Sequence, residues 1–422
     1  MQSGSCTVFY GPFISIEGRV PEGTIAVLIT LAELDHHLRG ATNVRIPRDD
    51  LFHSGWMASL TITEWRDWYL PRLTISIITK DRPESLSRLL HSVSNGRFFG
   101  DHVDIRIHLE QSTDHQTVQK VKDFKWDHGS LFIHHRVIHG GLLPAVVESW
   151  YPHTNDSYGL LLEDDVELSP LFYAWIKMTL LRYRYGDNRG RYLQLFGISL
   201  YQQKNIELHL DGRKPFNAPA LFLDNGHPPI TPYFSQIPCS WGAVYFPEHW
   251  AEFHDYLGIR FSEIAFPIDQ VIVPDVRSNR WSKSWKKYFI ELVFLRGYVM
   301  LYPNFPDFIS LSTNHLEVGS HVKVRSKAKQ DAFMVPLMQL SSDSKTTVNL
   351  LDLPNETLPS TLPVLNLTGS LTTFKELEAI GAARRSELVE CEMSRTFEAT
   401  GLLCLFNKKA ADSQSMAGVG RH

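Results

Sequence analysis

From about residue 70 onward, apolar residues recur with two periods that take turns along the chain. Leu73-Thr-Ile-Ser-Ile-Ile-Thr79 and Val103-Asp-Ile-Arg-Ile-His-Leu109 are rich in β-branched residues and predict strands. Residues 131–138, 192–200 and 239–246 predict three more. Tyr158-Gly-Leu-Leu-Leu162 is apolar without alternation, as a strand buried on both faces must be. Between these runs, residues 84–93, 117–124, 142–150 and 247–257 carry helical spacing, the last closed by Gly258. Ser169-Pro170 reads as the cap and first residue of another helix, with Leu171, Phe172, Trp175, Ile176 and Leu180 as its apolar stripe. Residues 201–235 read as a long loop, and residues 289–294 and 298–302 as buried apolar runs. Strand, turn and helix in repetition predict an α/β fold with a mostly parallel sheet and right-handed crossovers.

The Tyr158–Leu162 run leads straight into Glu163-Asp164-Asp165, at the carboxyl end of a central strand and just before a helix. Open α/β sheets bind ligands at that edge. Adjacent acids there raise one another's pKa unless a cation neutralises them, and a hard divalent ion shared with phosphate oxygens does so. Acids ahead of a helix are also favoured by its dipole, so the triplet alone leaves a cation site and a solvated helix start both open.

Composition narrows the class. The 422 residues are 43% hydrophobic and 12% aromatic, enough for a large core, and the net charge of −4 argues against nucleic acid as partner. Cys6, Cys239, Cys391 and Cys404 show no metal-finger spacing. Sequons at Asn155, Asn355 and Asn366 permit a secretory location. The apolar run from Thr24 to Leu34 is too short to span a bilayer, so membrane association is expected only through an anchor outside this chain. The domain expectation is an N-terminal extension at 1–70, a main domain at 71–335, and a Ser/Thr/Pro-rich, partly disordered appendage at 336–422 with one helix near 375–393.

The ordered series Thr79-Lys-Asp81-Arg-Pro, Glu110, Gly140-Gly141 and Glu163-Asp164-Asp165 resembles GT-A-fold glycosyltransferases of the family 2 type. Residues 163–172 are also similar to the matching stretch of the Golgi N-acetylglucosaminyltransferase that starts complex N-glycans. The resemblance spans roughly residues 70–325 and implies a GT-A, Rossmann-like fold with a mixed, mostly parallel sheet flanked by helices. It implies a nucleotide-sugar donor, a glycan or other hydroxyl acceptor, Mn²⁺ or Mg²⁺, and the Golgi lumen. Carried over residue by residue, Asp165 is the metal ligand and Asp164 the ribose contact. Asp81 and Glu110 meet the base or ribose, Thr79 and Arg82 line the same pocket, His139 reaches the nucleotide, and Glu163 gives local support. His321 after Ser320, with His315 as the alternative, backs the metal and phosphates. Trp241-Gly242 would face an acceptor sugar.

An inverting transfer needs a carboxylate base opposite the diphosphate. The resembled enzyme holds it in a Trp-acid-acid-Trp element, but the matching place here is Trp285-Lys-Lys-Tyr288, without an acid. Glu291 and Asp269 are the candidates, with a surface pair to Lys287 the bland reading of Glu291. The expected function is metal-dependent glycosyl transfer. Its rivals are an inactive sugar- or nucleotide-binding protein of the same fold and a nucleotidyltransferase, for which Lys80-Asp-Arg-Pro is a poor phosphate loop.

Overall fold

The computed structural model describes residues 26–29, 42–261, 270–317, 333–340, 358–359 and 361–388. Its centre is a ten-stranded sheet. In chain order its strands and the helices between them are β1 (Arg72–Thr79), α1 (Pro83–Ser94), β2 (Asp104–Leu109), α2 (His115–Asp123), β3 (Leu131–His135), α3 (Leu142–Val147) and β4 (Ser157–Glu163). A short β5 (Val166–Leu168) and α4 (Phe172–Arg184) follow, then β6 (Leu195–Ser199), β7 (Tyr233–Ser235), β8 (Ala243–Tyr245), α5 (Pro247–Phe261), α6 (Trp285–Arg296) and β9 (Val299–Tyr302). Last come β10 (Ser312–Asn314), β11 (Val364–Leu365), β12 (Leu371–Thr372) and α7 (Phe374–Leu388).

The sheet order is β12-β11-β7-β9-β6-β8-β4-β1-β2-β3. The four strands at the β3 end run parallel, and Ile75 sits opposite both Ile105 and Leu160. β8 then lies antiparallel between β4 and β6, and the remaining pairings are mixed. The uninterrupted apolar run of β4 is explained by its place: Leu160 and Leu162 join the core under α1 and α4, while Leu161 joins the one under α5 and α6. Trp175 fills the first core and Trp250 with Phe289 the second, all fully buried.

Three boundaries differ from the sequence reading. The helix expected at Ser169-Pro170 begins only at Phe172, because Ser169 turns inward: its hydroxyl accepts from Leu171 N (3.1 Å) and donates to the Met338 carbonyl (2.6 Å). α5 runs through Gly258 to Phe261. The run 289–294 is the buried middle of α6, which is apolar on nearly every side. The long loop contains a helical turn, Ala218–Asp224, capped by Asn217. Among the described residues no helix is long and apolar enough to cross a membrane. The segment before the sheet is tied down by Trp68 and Asp101, which meet the buried Lys177 of α4, the latter at 2.7 Å. At the other terminus, β11 and β12 extend the sheet itself and α7 packs on α6.

Candidate functional site

Strands β1, β2 and β4 end side by side, and each delivers acid to the same edge. Most of these carboxylates are already occupied by loops of the protein. Asp81 follows β1 with φ of 52°, a left-handed conformation rare for a non-glycine residue. One of its oxygens accepts from Asp114 N at 2.7 Å, and Asp114 in turn caps α2. Glu110 follows β2, is buried, and accepts from the backbone N–H of Gln111 (2.8 Å), Gly140 (3.3 Å) and Gly141 (3.1 Å). Burial works to raise the Glu110 pKa, but those N–H groups and His139, 3.5 Å away, outweigh it and hold it below the ordinary value. Gly141, at φ of 74°, lets the backbone turn into that grip.

Asp164 is likewise consumed. It is 4% exposed and accepts from Thr79 Oγ1 (2.9 Å), Lys80 N (3.3 Å) and Arg82 Nη1 (2.8 Å). Thr79, Arg82 and Asp164 therefore form one lock between β1 and β4, and burial still raises the Asp164 pKa against the pull of Arg82. Its neighbours in the triplet are left over. Among the described residues Asp165 has Arg82 alone within ion-pair range, at 3.8 Å, and burial followed by the Asp164 charge pushes its pKa up to about 6. Glu163 has no hydrogen-bond or ion-pair partner among the described residues. It lines a pocket with Ile78, Val146, Leu161, Trp285 and Ser240. Burial, then Asp165 and Asp164, pushes its pKa up to about 8. Two carboxylates flanking Asp164, with Arg82 3.8 Å from one of them and burial disfavouring the charge of both, are a place where a further cation would be stabilised.

A second strand pair borders the triplet. β5 pairs antiparallel with β10, so Thr313 lies opposite Glu167. His315 follows: its N–H donates to the Asp165 carbonyl at 2.8 Å, and its ring meets Glu167 Oε2 at 2.6 Å. Glu317 is anchored to Arg88 at 3.0 Å. Trp241 packs edge-on against Tyr201 (4.7 Å) and Phe333 (5.5 Å). Gly242 has φ of 90°, and a Cβ there would stand 3.2 Å from Ser312, so the Trp241-Gly242 turn docks on the start of β10.

Of the two base candidates, Glu291 lies in the second core. It is 2% exposed on α6, and its carboxylate is bound by Tyr256 OH (2.8 Å) and Arg260 Nε (3.0 Å) of α5. Its carboxylate is thus engaged in a buried ion pair and a hydrogen bond within the core. The surface pair with Lys287 is not formed either, since Lys287 lies 5.3 Å over the Tyr288 ring. Asp269 and His321 lie outside the described residues. Sequence reasoning missed the Lys286–Glu207 ion pair, next in the chain to the pocket residue Trp285. Nothing in either local stretch signals a partner in the other.

Among the described residues no group of three or more His, Cys, Asp or Glu side chains is arranged around one metal position. A hard cation on Asp165 and Glu163 would therefore take its remaining oxygens from a phosphate-bearing ligand and water, the usual mode of Mg²⁺ and Mn²⁺ in nucleotide sites. The donor set fits that kind of ion.

Comparison with known proteins adds the following. Residues 80–195, which hold Asp81, Glu110, Gly140-Gly141 and the acidic triplet, match the family model described as the SPBC1E8.03c C-terminal domain. No curated protein matches. Similar solved structures include the S. aureus TarS fragment 1–349 (13% identity, 55% of this chain, 58% of that chain, TM-score 0.34). The same fragment in complex with UDP-GlcNAc gives 11%, 59%, 60% and 0.35. The mannosyltransferase PcManGT from Pyrobaculum calidifontis, in complex with GDP-Man and Mn²⁺, gives 10%, 87%, 94% and 0.35. The match thus reaches 58% of the TarS fragment's own length.

Proposed function

We propose that this chain is a metal-dependent glycosyltransferase of the GT-A kind, moving a sugar from a nucleoside-diphosphate donor to a hydroxyl of a glycan or other acceptor. The observation that carries the reading is the pair of carboxylates not spent on fastening loops, Glu163 and Asp165, at the carboxyl edge of parallel strands. When bound, Mn²⁺ or Mg²⁺ supplies Lewis-acid stabilisation of the departing diphosphate. Asp165 and Glu163 would hold that ion. Arg82 keeps Asp164 in place and leaves Asp165 turned toward the open edge. Asp81, with one oxygen free of the Asp114 contact, suits the base or ribose of a nucleotide lying across β1 and β2. Glu110 acts through the loop it grips, and so presents His139, which is largely exposed. Trp241 offers an aromatic wall for the acceptor. In this reading the proton acceptor is Asp269, the remaining candidate once Glu291 is set aside.

The narrower likeness to the Golgi N-acetylglucosaminyltransferase rests on residues 163–172 alone, and a secretory setting is part of the same reading. The test is a screen of UDP- and GDP-sugars for Mn²⁺-dependent hydrolysis, with Asp165→Ala alongside. Hydrolysis that survives the substitution sinks the assignment.

A second reading, a nucleotide- or sugar-binding protein without turnover, is favoured by one observation: Trp285-Lys286-Lys287-Tyr288 has no acid, and Glu291 behind it is neutralised. Calorimetry with UDP and GDP, with and without Mn²⁺, separates the two when paired with the hydrolysis screen.

A further inference from the structure

Beyond the pocket that Glu163 lines, two loops come together. The backbone N–H of Arg277 donates to the Leu208 carbonyl at 3.1 Å, and His209 bridges to Val276. This contact brings three cations around one acid. Lys286, next to the pocket residue Trp285, is paired with Glu207. Arg213 lies 4.6 Å over the Phe333 ring, which itself packs on Trp241. Arg277 lies 5.9 Å over Trp281. Neither guanidinium has a carboxylate partner among the described residues. The nearby Asp211 is taken by Lys214 at 3.4 Å, and Asp275 makes no ion pair with Arg277. Arginines stacked on aromatic rings keep their in-plane donors free, the arrangement that accepts a phosphate or carboxylate side-on.

We infer that Arg213 and Arg277, beside the Trp241–Phe333 wall, bind an anionic group carried by the acceptor, a phosphate or a carboxylate. The assignment rests on the glycosyltransferase reading and names the acceptor class for it. Its place in the fold favours the acceptor over the donor. The cation at the Asp164–Asp165 rim is Arg82, whereas Arg213 lies against the Phe333 ring of the aromatic wall and Arg277 belongs to the loop paired with Leu208–His209. The electrostatics agree: burial lowers the Arg213 pKa first, Glu207 works against that, and Arg277 lowers it further, so the two guanidiniums repel one another.

The test is calorimetry on the full chain in UDP and Mn²⁺, with glucose, glucose 6-phosphate and glucuronic acid as probes. Both anionic sugars should bind at least about tenfold more tightly than glucose, and the preference should weaken with added salt. Arg213→Gln with Arg277→Gln should erase the preference while leaving UDP affinity unchanged to within about twofold. Arg213→Lys with Arg277→Lys, which keeps the charge, should retain part of it, and circular dichroism confirms that both variants fold. Equal binding of neutral and anionic probes, including no binding of either, overturns the inference. So does a loss of UDP affinity in the Gln pair, which would give these cations to the donor diphosphate. Selective binding of anionic sugars by a protein that binds neither UDP nor GDP would leave the subsite standing and remove the glycosyltransferase reading instead.

Discussion

The two sides of the pocket manage charge in opposite ways. On the parallel side, the strand-end acids Asp81, Glu110 and Asp164 are spent on fastening the loops around them, with donors at 2.7 to 3.3 Å. Among the described residues Glu163 is left without a partner and Asp165 with Arg82 at 3.8 Å. On the mixed side, the loops between β6 and β9 spend Glu207 on Lys286 and leave Arg213 and Arg277 without a carboxylate partner among the described residues. An excess of acid at the parallel edge, where Glu163 lines a pocket with Trp285 and Tyr245, thus contrasts with an excess of base in these loops. In each case the groups left unpaired are the ones that point to a ligand, since the protein itself has satisfied the others.

If that contrast is right, its acidic side breaks most sharply at Asp165. Asp165→Ala should reduce Mn²⁺-dependent nucleotide binding by about a hundredfold or more, read by calorimetry, with the fold intact by circular dichroism. Next in size is a stability effect away from the site. Glu291→Ala removes the buried carboxylate that the Arg260 guanidinium and Tyr256 hydroxyl share in the second core and should cost about 3 kcal/mol in urea unfolding, with the hydrolysis rate of the folded fraction unchanged. A large fall in turnover without loss of stability would return Glu291 to the catalytic list.

Glu163 gives the pH-dependent case. Its pKa is about 8 in the folded protein against an ordinary 4.5, so the folded state binds the proton more tightly. Below pH 4.5 both states are protonated and no penalty exists; it accumulates as pH rises to 8 and is constant above that. Thermal stability should therefore fall across that window, and Glu163→Gln should flatten the slope, gaining roughly 1–3 kcal/mol at pH 8. The smallest expected effect is at Thr79. Thr79→Ala removes one of the hydrogen bonds to Asp164 while Arg82 and Lys80 N remain, and about 1 kcal/mol of stability should go with it.

What could be read from the chain divides along the same line. β1, β2 and β4 were legible because their signal is local: β-branched alternation, or an unbroken apolar run, closed by acid and turn. The acids were found for the same reason, each directly following its strand. Their occupancy was not legible, because Asp164 finds Arg82 across 82 residues and Glu110 finds Gly140 across 30. Glu291 was misread because its neighbours in sequence suggest a surface pair, whereas α6 buries all its faces and places Arg260 of α5 against it. Strand β5 escaped notice because three residues carry no period of their own; its partner, β10, lies far along the chain.

That last pairing has a consequence for how the protein is made. Ser312–Asn314 closes against Val166–Leu168, and His315 then caps the Asp165 carbonyl. During synthesis the four parallel strands can dock as soon as β4 has emerged. The acidic rim, however, stays open until nearly 150 further residues have left the ribosome, at ordinary elongation speeds a wait of roughly ten seconds or more. A nascent chain would then hold a folded half-sheet with its charged edge still unclasped, and a chain stopped short of Ser312 would keep the strands and lose the clasp.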